Sequence, residues 1–371
     1  MDQTIDEDLI KSIFKKNEGL SDGINEFLEY EFDHRDFMHS LGLFGGSESG
    51  KTYLCKDILS RVRHIFPRVI LFSPTAANGS DFQGIINKLL IIPEITEEKF
   101  IEVYKAQEEI ALLYKKINSK EILYEVFDIA ATATQKNLYN KIILIRDKLV
   151  SSSSFAHGER SGGRDGKDGE KNEHVIAQKV QELNNKLDKV LCKFMKSVIL
   201  PVRHTLSLDE FSPAAQDCIK YLDLNPHTLF IFDDLMDECA TMIKKTKSQA
   251  SMLFLNLFTK GRHIFATHWH ILQDDSPIPP KLRKNLRTSI FTMGDVANNY
   301  ITRPTNGISK IDQKFGLSMI NVLYQGKTDY RKMFYFKDKV RSEKFQYYTA
   351  KNAGLFCTSS SIINNFCDSL K

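Results

Sequence analysis

The chain has 371 residues, 42% of them hydrophobic, and 51 Lys and Arg against 47 Asp and Glu, a formal charge of +4. That is enough apolar chain for one large or two ordinary domains, and the charge is too evenly balanced to mark a polyanion-binding protein by bulk electrostatics alone. The six cysteines show no C-x-x-C or Cys/His ligand spacing, the acidic start Met1-Asp2-Gln3 is unlike a signal peptide, and no apolar run approaches bilayer length, so an intracellular, reducing setting without a membrane span is expected.

Residues 1–38 read as an N-terminal helical extension, with Leu9, Ile10, Ile13 and Phe14 at helical spacing ahead of the turn signal Ser21-Asp22-Gly23. Residues 39–95 read as the first half of an α/β core. The apolar run Ser40-Leu41-Gly42-Leu43-Phe44 leads directly into Gly45-Gly46-Ser47-Glu48-Ser49-Gly50-Lys51-Thr52, a complete G-x-x-x-x-G-K-[ST] pattern. Gly45 and Gly50 allow the backbone to curl until successive N–H groups face phosphates, and the following helix points its positive dipole end at the same place. Lys51 is then placed for the β/γ-phosphates and the Thr52 hydroxyl for Mg²⁺. A Gly/Ser turn beside a helix cap is the plainer reading of the same eight residues. Tyr53, Leu54, Ile58, Leu59 and Val62 form one helical face ending near Phe66-Pro67, and Val69-Ile70-Leu71-Phe72 reads as the next strand, stopping at Ser73-Pro74-Thr75.

Residues 96–224 read as a helical insertion. Val103, Ala106, Ile110, Leu113 and Ile117 are spaced 3, 4, 3, 4, and Ile176, Val180, Leu183, Leu187 and Val190 repeat the rule. Between them, residues 151–174 open with Ser151-Ser152-Ser153-Ser154 and continue as a Gly and charge tract, expected as a disordered tip. Either a protruding helical arm or two amphipathic helices lying on the sheet fits seams this short.

Residues 225–371 read as the second half of the core and C-terminal elements. Thr228-Leu229-Phe230-Ile231-Phe232 is a strand buried on both faces that ends in Asp233-Asp234. Parallel α/β sheets gather ligands at that strand edge, so Asp233 is the candidate Mg²⁺ carboxylate and Asp234 the candidate that orients or deprotonates water. The next strand, from His263, ends near Gln273, a candidate polar sensor of the γ-phosphate. His268 and His270 alternate on that strand without a third ligand in sequence, a spacing more usual for structural histidines than for zinc. Ser289-Ile290-Phe291-Thr292-Met293 reads as a further strand. Asn321-Val322-Leu323-Tyr324 and Lys332-Met333-Phe334-Tyr335-Phe336 are expected to pair as an edge hairpin around Gly326-Lys327. The cluster Pro279-Pro280-Lys281-Leu282-Arg283-Lys284-Asn285-Leu286-Arg287 offers an arginine finger, or else a solvated cationic helix start.

Three segments in order, residues 45–52, then Phe230-Ile231-Phe232-Asp233-Asp234-Leu235-Met236-Asp237-Glu238, then Gly261-Arg262-His263 followed by Gln273 and Ile278-Pro279-Pro280-Lys281-Leu282-Arg283-Lys284-Asn285, resemble the poxvirus-type genome-packaging ATPases of nucleocytoplasmic large DNA viruses. These belong to the FtsK/HerA superfamily of DNA-pumping motors. The resemblance implies a P-loop NTPase of RecA/FtsK-like fold, a mostly parallel sheet with helices on both faces. It also implies ATP and Mg²⁺ as cofactors, a homo-oligomeric ring, double-stranded DNA as the translocated partner, a capsid or portal protein as a further partner, and work at viral assembly sites in the host cytoplasm or in the virion. By position it assigns residues 45–52 to the nucleotide, Thr52 and Asp233 to the metal, and Asp234, Gln273 and Arg283 to catalysis, with Arg287 and Arg262 as other finger candidates. A helicase or DNA-remodelling ATPase, a P-loop small-molecule kinase and a nucleotide-gated scaffold are the competing functions.

Overall fold

The computed structural model describes residues 28–76, 81–155, 166–244, 247–324, 331–337 and 345–370. The helix expected around residues 9–14, the centre of the tip at 156–165 and the turn at Gly326-Lys327 lie outside these. Contacts divide the chain into two units, Met1–Ala111 with Asn225–Lys371, and Leu112–Leu224.

The first unit is built on an eight-stranded sheet. Its strands are β1 (Leu41–Phe44), β2 (Arg68–Phe72), β3 (Ile91–Ile92), β4 (Thr228–Asp233), β5 (Ala266–Leu272), β6 (Thr288–Phe291), β7 (Arg331–Phe336) and β8 (Phe345–Thr349). Their spatial order is β3-β2-β4-β5-β1-β6-β7-β8. The first six are mutually parallel, and β7 and β8 close one side antiparallel. The sequence explains why β2 and β4 are interior. In β2, Val69 and Leu71 enter one apolar cluster while Ile70 and Phe72 enter another; in β4, Leu229 and Ile231 part from Phe230 and Phe232 in the same way. With side chains alternating and both faces apolar, each strand must be covered on both sides.

Helix α1 (Lys51–Val62) covers one face with Leu54, Ile58, Leu59 and Val62. The other face receives Phe100 and Tyr104 of α2 (Glu97–Ile117) and, farther along the chain, Phe254 and Leu257 of the helix Gln249–Lys260.

The second unit has its own core. Its helices are α3 (Lys120–Ala130), α4 (Ala133–Phe155), α5 (Gly166–Phe194, continued by one π-helical turn, Met195–Ile199) and α6 (Pro213–Lys220). Phe127 meets Tyr139 and Phe194 at ring distances of 5.2 and 5.0 Å, and Leu187, Leu191, Ala215 and Ile219 complete the cluster. At the end of this chain stretch Glu125 accepts from both the amide and the hydroxyl of Ser212, the N-cap of α6, at 2.8 and 2.9 Å.

Two expectations change. The polar tract is helical over 151–155 and again over 166–173, because α4 runs through the serines and α5 begins well before its apolar seam. The edge hairpin is β7–β8; Asn321, Val322 and Leu323 instead end the helix Lys310–Leu323. Phe315, Met319, Ile320 and Leu323 form the buried stripe of that helix, a period visible only when the window extends beyond four residues.

Candidate nucleotide site

Residues 45–52 join β1 to α1 at the C-terminal edge of the parallel strands. Two glycines are required by geometry there. A Cβ on Gly45 would lie 1.7 Å from Thr292 Oγ1, so only hydrogen fits. Gly50 caps α1 with φ +85°, a left-handed conformation costly to residues that carry a Cβ. The loop is held from the β6 side as well: Gly46 N–H approaches Met293 Sδ at 3.1 Å, and the Ser49 and Thr292 hydroxyls meet at 2.6 Å. Gly45 N–H donates to Leu272 O of β5 at 3.1 Å, which fixes the start of the loop beside that strand's end. Glu48, with φ 58°, is exposed, as is Ser47.

The two aspartates end β4 at the same edge. Asp233 is in register with Ile271 of β5, one residue short of Leu272, which is in register with Phe44 of β1, so the aspartate and the start of the loop are one strand apart. Asp233 is buried at 8% exposure and accepts a 3.0 Å hydrogen bond from the Ser73 hydroxyl. Ser73 lies just past β2 and also accepts from Ala76 N–H at 3.1 Å. Asp234 follows with φ 54°, a left-handed value that Asp tolerates, and its side chain is exposed. Its N–H donates to Ile271 O at 3.1 Å.

Lys51 lies within electrostatic reach of both carboxylates. Its ammonium donates to Gly45 O and Gly46 O at 2.5 and 2.8 Å, across the loop. Partial burial lowers its pKa, against the pull of Asp234 and then Asp233. Burial raises the Asp233 carboxyl to about 6; the Ser73 hydrogen bond opposes the rise, the Asp234 charge adds to it, and Lys51 opposes it again. In both groups burial is the larger effect and works against the charged form, while the opposite charge nearby works for it. A single buried carboxylate suits Mg²⁺, which keeps several water and phosphate ligands, better than it suits an all-protein cage. No cluster of three or more His, Cys, Asp or Glu able to hold a metal occurs among the described residues.

Gln273 is exposed and follows β5 directly, at the same strand edge as the loop. His268 and His270 lie deeper in β5, buried, with Nδ1 of the first and Nε2 of the second 2.9 Å apart. Burial depresses both, His268 to about 3, and the His270 ring stacks on Phe232 at 4.9 Å.

Arg283 is placed where a finger is hard to extend. It is 3% exposed, and its guanidinium is ion-paired with Asp275, to which Arg303 also donates at 3.2 Å. Reaching another subunit from there would break this buried ion pair and leave Asp275 to Arg303 and Asn306. Arg262 and Arg287 are exposed, but they line a cavity of about 680 Å³ with Ser40, His227 and Ala266, residues at the beginnings of the parallel strands and so at the edge opposite the loop.

Four residues that shape this site carry no site motif in the sequence: Ser73 reads as the end of a strand, Thr292 and Met293 as strand residues, and Lys332 as part of a hairpin. For Ser73 a signal existed, a hydroxyl immediately after a parallel strand. For the others the partner is about 245 to 285 positions away, and no local pattern points to it.

No protein-family model matches the chain. It is similar to the uncharacterized protein B354L of African swine fever virus, a large DNA virus. The isolates Pig/Kenya/KEN-50/1950 and Tick/Malawi/Lil 20-1/1983 each match at 23% identity over 339 residues, covering 88% of this chain and 86% of the relative. A span of that length cannot lie in one unit, so the likeness includes both. No described helix is long and apolar enough to cross a membrane.

Proposed function

We propose that the sheet unit is a P-loop NTPase that binds ATP and Mg²⁺ on residues 45–52 and hydrolyses the γ-phosphate, and that the turnover drives double-stranded DNA through a homo-oligomeric ring during viral genome packaging. The observation that carries the nucleotide reading is that Lys51 of the loop and the Asp233-Asp234 strand end lie within electrostatic reach of each other at the edge where the loop leaves β1. In this reading the triphosphate would be met by Lys51, and Mg²⁺ would offset the cost of burying an ionised Asp233. Thr52 and Asp233 would hold the metal, whose chemistry is to neutralise charge on the β- and γ-oxygens.

In this reading exposed Asp234, next to buried Asp233, would orient a water on the γ-phosphorus. The new P–O bond forms as the bond to the β,γ-bridging oxygen breaks, ADP departs, and the water's proton passes to the carboxylate or to the released phosphate. Gln273, at the neighbouring strand end, is placed to hydrogen-bond the same water or phosphate. Adjacent carboxylates at the end of a buried strand, the second of them exposed, favour water activation over transfer to a bound acceptor. The DNA-motor reading is supported by the order of the three sequence segments that resemble packaging ATPases and by similarity to a protein of a large DNA virus. Of the finger candidates, the exposed Arg262 and Arg287 suit the role better than buried Arg283.

Purified protein should convert ATP to ADP and free phosphate only with Mg²⁺, and Lys51→Ala should reduce the rate by at least about a hundredfold. Turnover unaffected by Lys51→Ala sinks the assignment, and phosphate appearing on a nucleoside or nucleotide acceptor would move it to a kinase.

A further inference from the structure

A second lysine reaches the loop from the far end of the sequence. Lys332, on β7, is 7% exposed, and its ammonium donates to the Ser49 carbonyl at 2.9 Å. Its stem runs along Gly50, where a Cβ would meet Nζ at 3.6 Å and Cε at 3.8 Å. The topology explains how it arrives. β7 is antiparallel to β6 with Met333 in register with Phe291, and Phe291 is in register with Phe44 of β1, so the first residues of β7 lie at the edge where the loop emerges. Burying an ammonium is costly. A lysine kept in this position therefore calls for an explanation beyond packing.

The peptide between Ser49 and Gly50 supplies one. In a trans peptide the C=O and the following N–H point in opposite directions. A cation on Ser49 O therefore fixes the Gly50 N–H towards the other side of the loop and polarises it into a stronger donor. In a G-x-x-x-x-G-K loop the backbone N–H groups cradle the phosphates shared by ADP and ATP, while the motif lysine reaches the β/γ pair. We propose that Lys332 is a positioning residue of the phosphate site: it acts through the Ser49–Gly50 peptide to present the Gly50 amide to the nucleotide, and so makes β7 part of the nucleotide-binding apparatus. This rests on the nucleotide reading of the loop.

The experiment measures Mg-ADP and Mg-ATP affinities of the full chain by calorimetry for wild type, Lys332→Met, Lys332→Gln, Lys332→Arg and Lys51→Ala, with thermal melts without nucleotide for each. Lys332→Met should weaken ADP and ATP alike by about tenfold, the scale of one charge-assisted hydrogen bond. Lys332→Arg should recover most of the affinity, and Lys332→Gln, which keeps a donor without the charge, should fall between. Lys51→Ala should instead weaken ATP more than ADP. If Lys332→Met does not fold, Lys332→Gln carries the comparison. Wild-type affinity for ADP in a folded Lys332→Met or Lys332→Gln protein overturns this inference alone, as does a loss confined to ATP. Absence of nucleotide binding by the wild-type protein overturns the nucleotide reading and this inference with it.

Discussion

Asp233 concentrates the residue-scale physics. Its carboxyl is raised from 3.8 to about 6, chiefly by burial, so the folded state prefers the protonated form more than the unfolded chain does. A carboxyl with a raised folded pKa contributes its stability at pH below about 4 and loses it as pH rises through about 6. Asp233→Asn cannot ionise and still offers Ser73 an acceptor. Without metal, it should therefore gain stability relative to wild type between pH 4 and pH 8, by about 2 kcal/mol, read from denaturant midpoints at the two values. Metal binding needs the ionised form, so Mg²⁺-dependent turnover of the wild-type protein should decline as pH falls through about 6. A flat stability difference across that range would show that the burial of Asp233 is relieved by something other than proton uptake.

At the scale of elements, the loop is a junction of three strands and a helix. β1 feeds it, Thr292 and Met293 after β6 buttress it, Lys332 of β7 grips Ser49, and α1 extends from it. The far side of α1 is anchored too. Asp57, 1% exposed, accepts from the Tyr348 hydroxyl of β8 at 2.7 Å, the Lys351 N–H at 2.8 Å and Arg61 Nε at 2.9 Å. Removing the Tyr348 hydroxyl leaves a buried carboxylate one donor short. Tyr348→Phe should cost about 1–3 kcal/mol, seen as a lowered melting temperature, whereas Arg35→Ala, which removes an exposed pair with Asp33, should leave the melting temperature nearly unchanged. Equal effects from the two substitutions would mean that the β8 anchor contributes nothing beyond a surface contact.

At the scale of the whole molecule, two separate cores share one chain, one wrapped around the sheet and one among α3 to α6. The helical unit departs from the simple paired arm that two heptad seams suggest. α5 finds its neighbours in α3 and α4, and Ile176, Val180 and Leu183 of the expected seam are only half-buried. The DNA-motor reading makes its prediction here. ATP turnover should rise with added duplex DNA, and because phosphate contacts release counterions, the stimulation should weaken steeply between about 50 and 200 mM salt. Stimulation by single strands alone, accompanied by strand displacement, would point to a helicase.

The sequence by itself determined what is local. The G-x-x-x-x-G-K-[ST] pattern sits between a strand and a helix, the apolar run ending in Asp233-Asp234 is the interior strand β4, and the 3, 4 spacings lie in α2 and α5. These follow from side-chain period and backbone restriction over a dozen residues or fewer. Tertiary structure alone decided the strand order, which inserts β4 and β5 between β1 and β2. It also brought Ser73 to Asp233, paired Arg283 with Asp275, and carried Lys332 across 283 positions to Ser49. Such contacts depend on which strands become neighbours. Strand pairing is settled by burying two apolar faces at once, a property of the assembled sheet that no single stretch of chain contains.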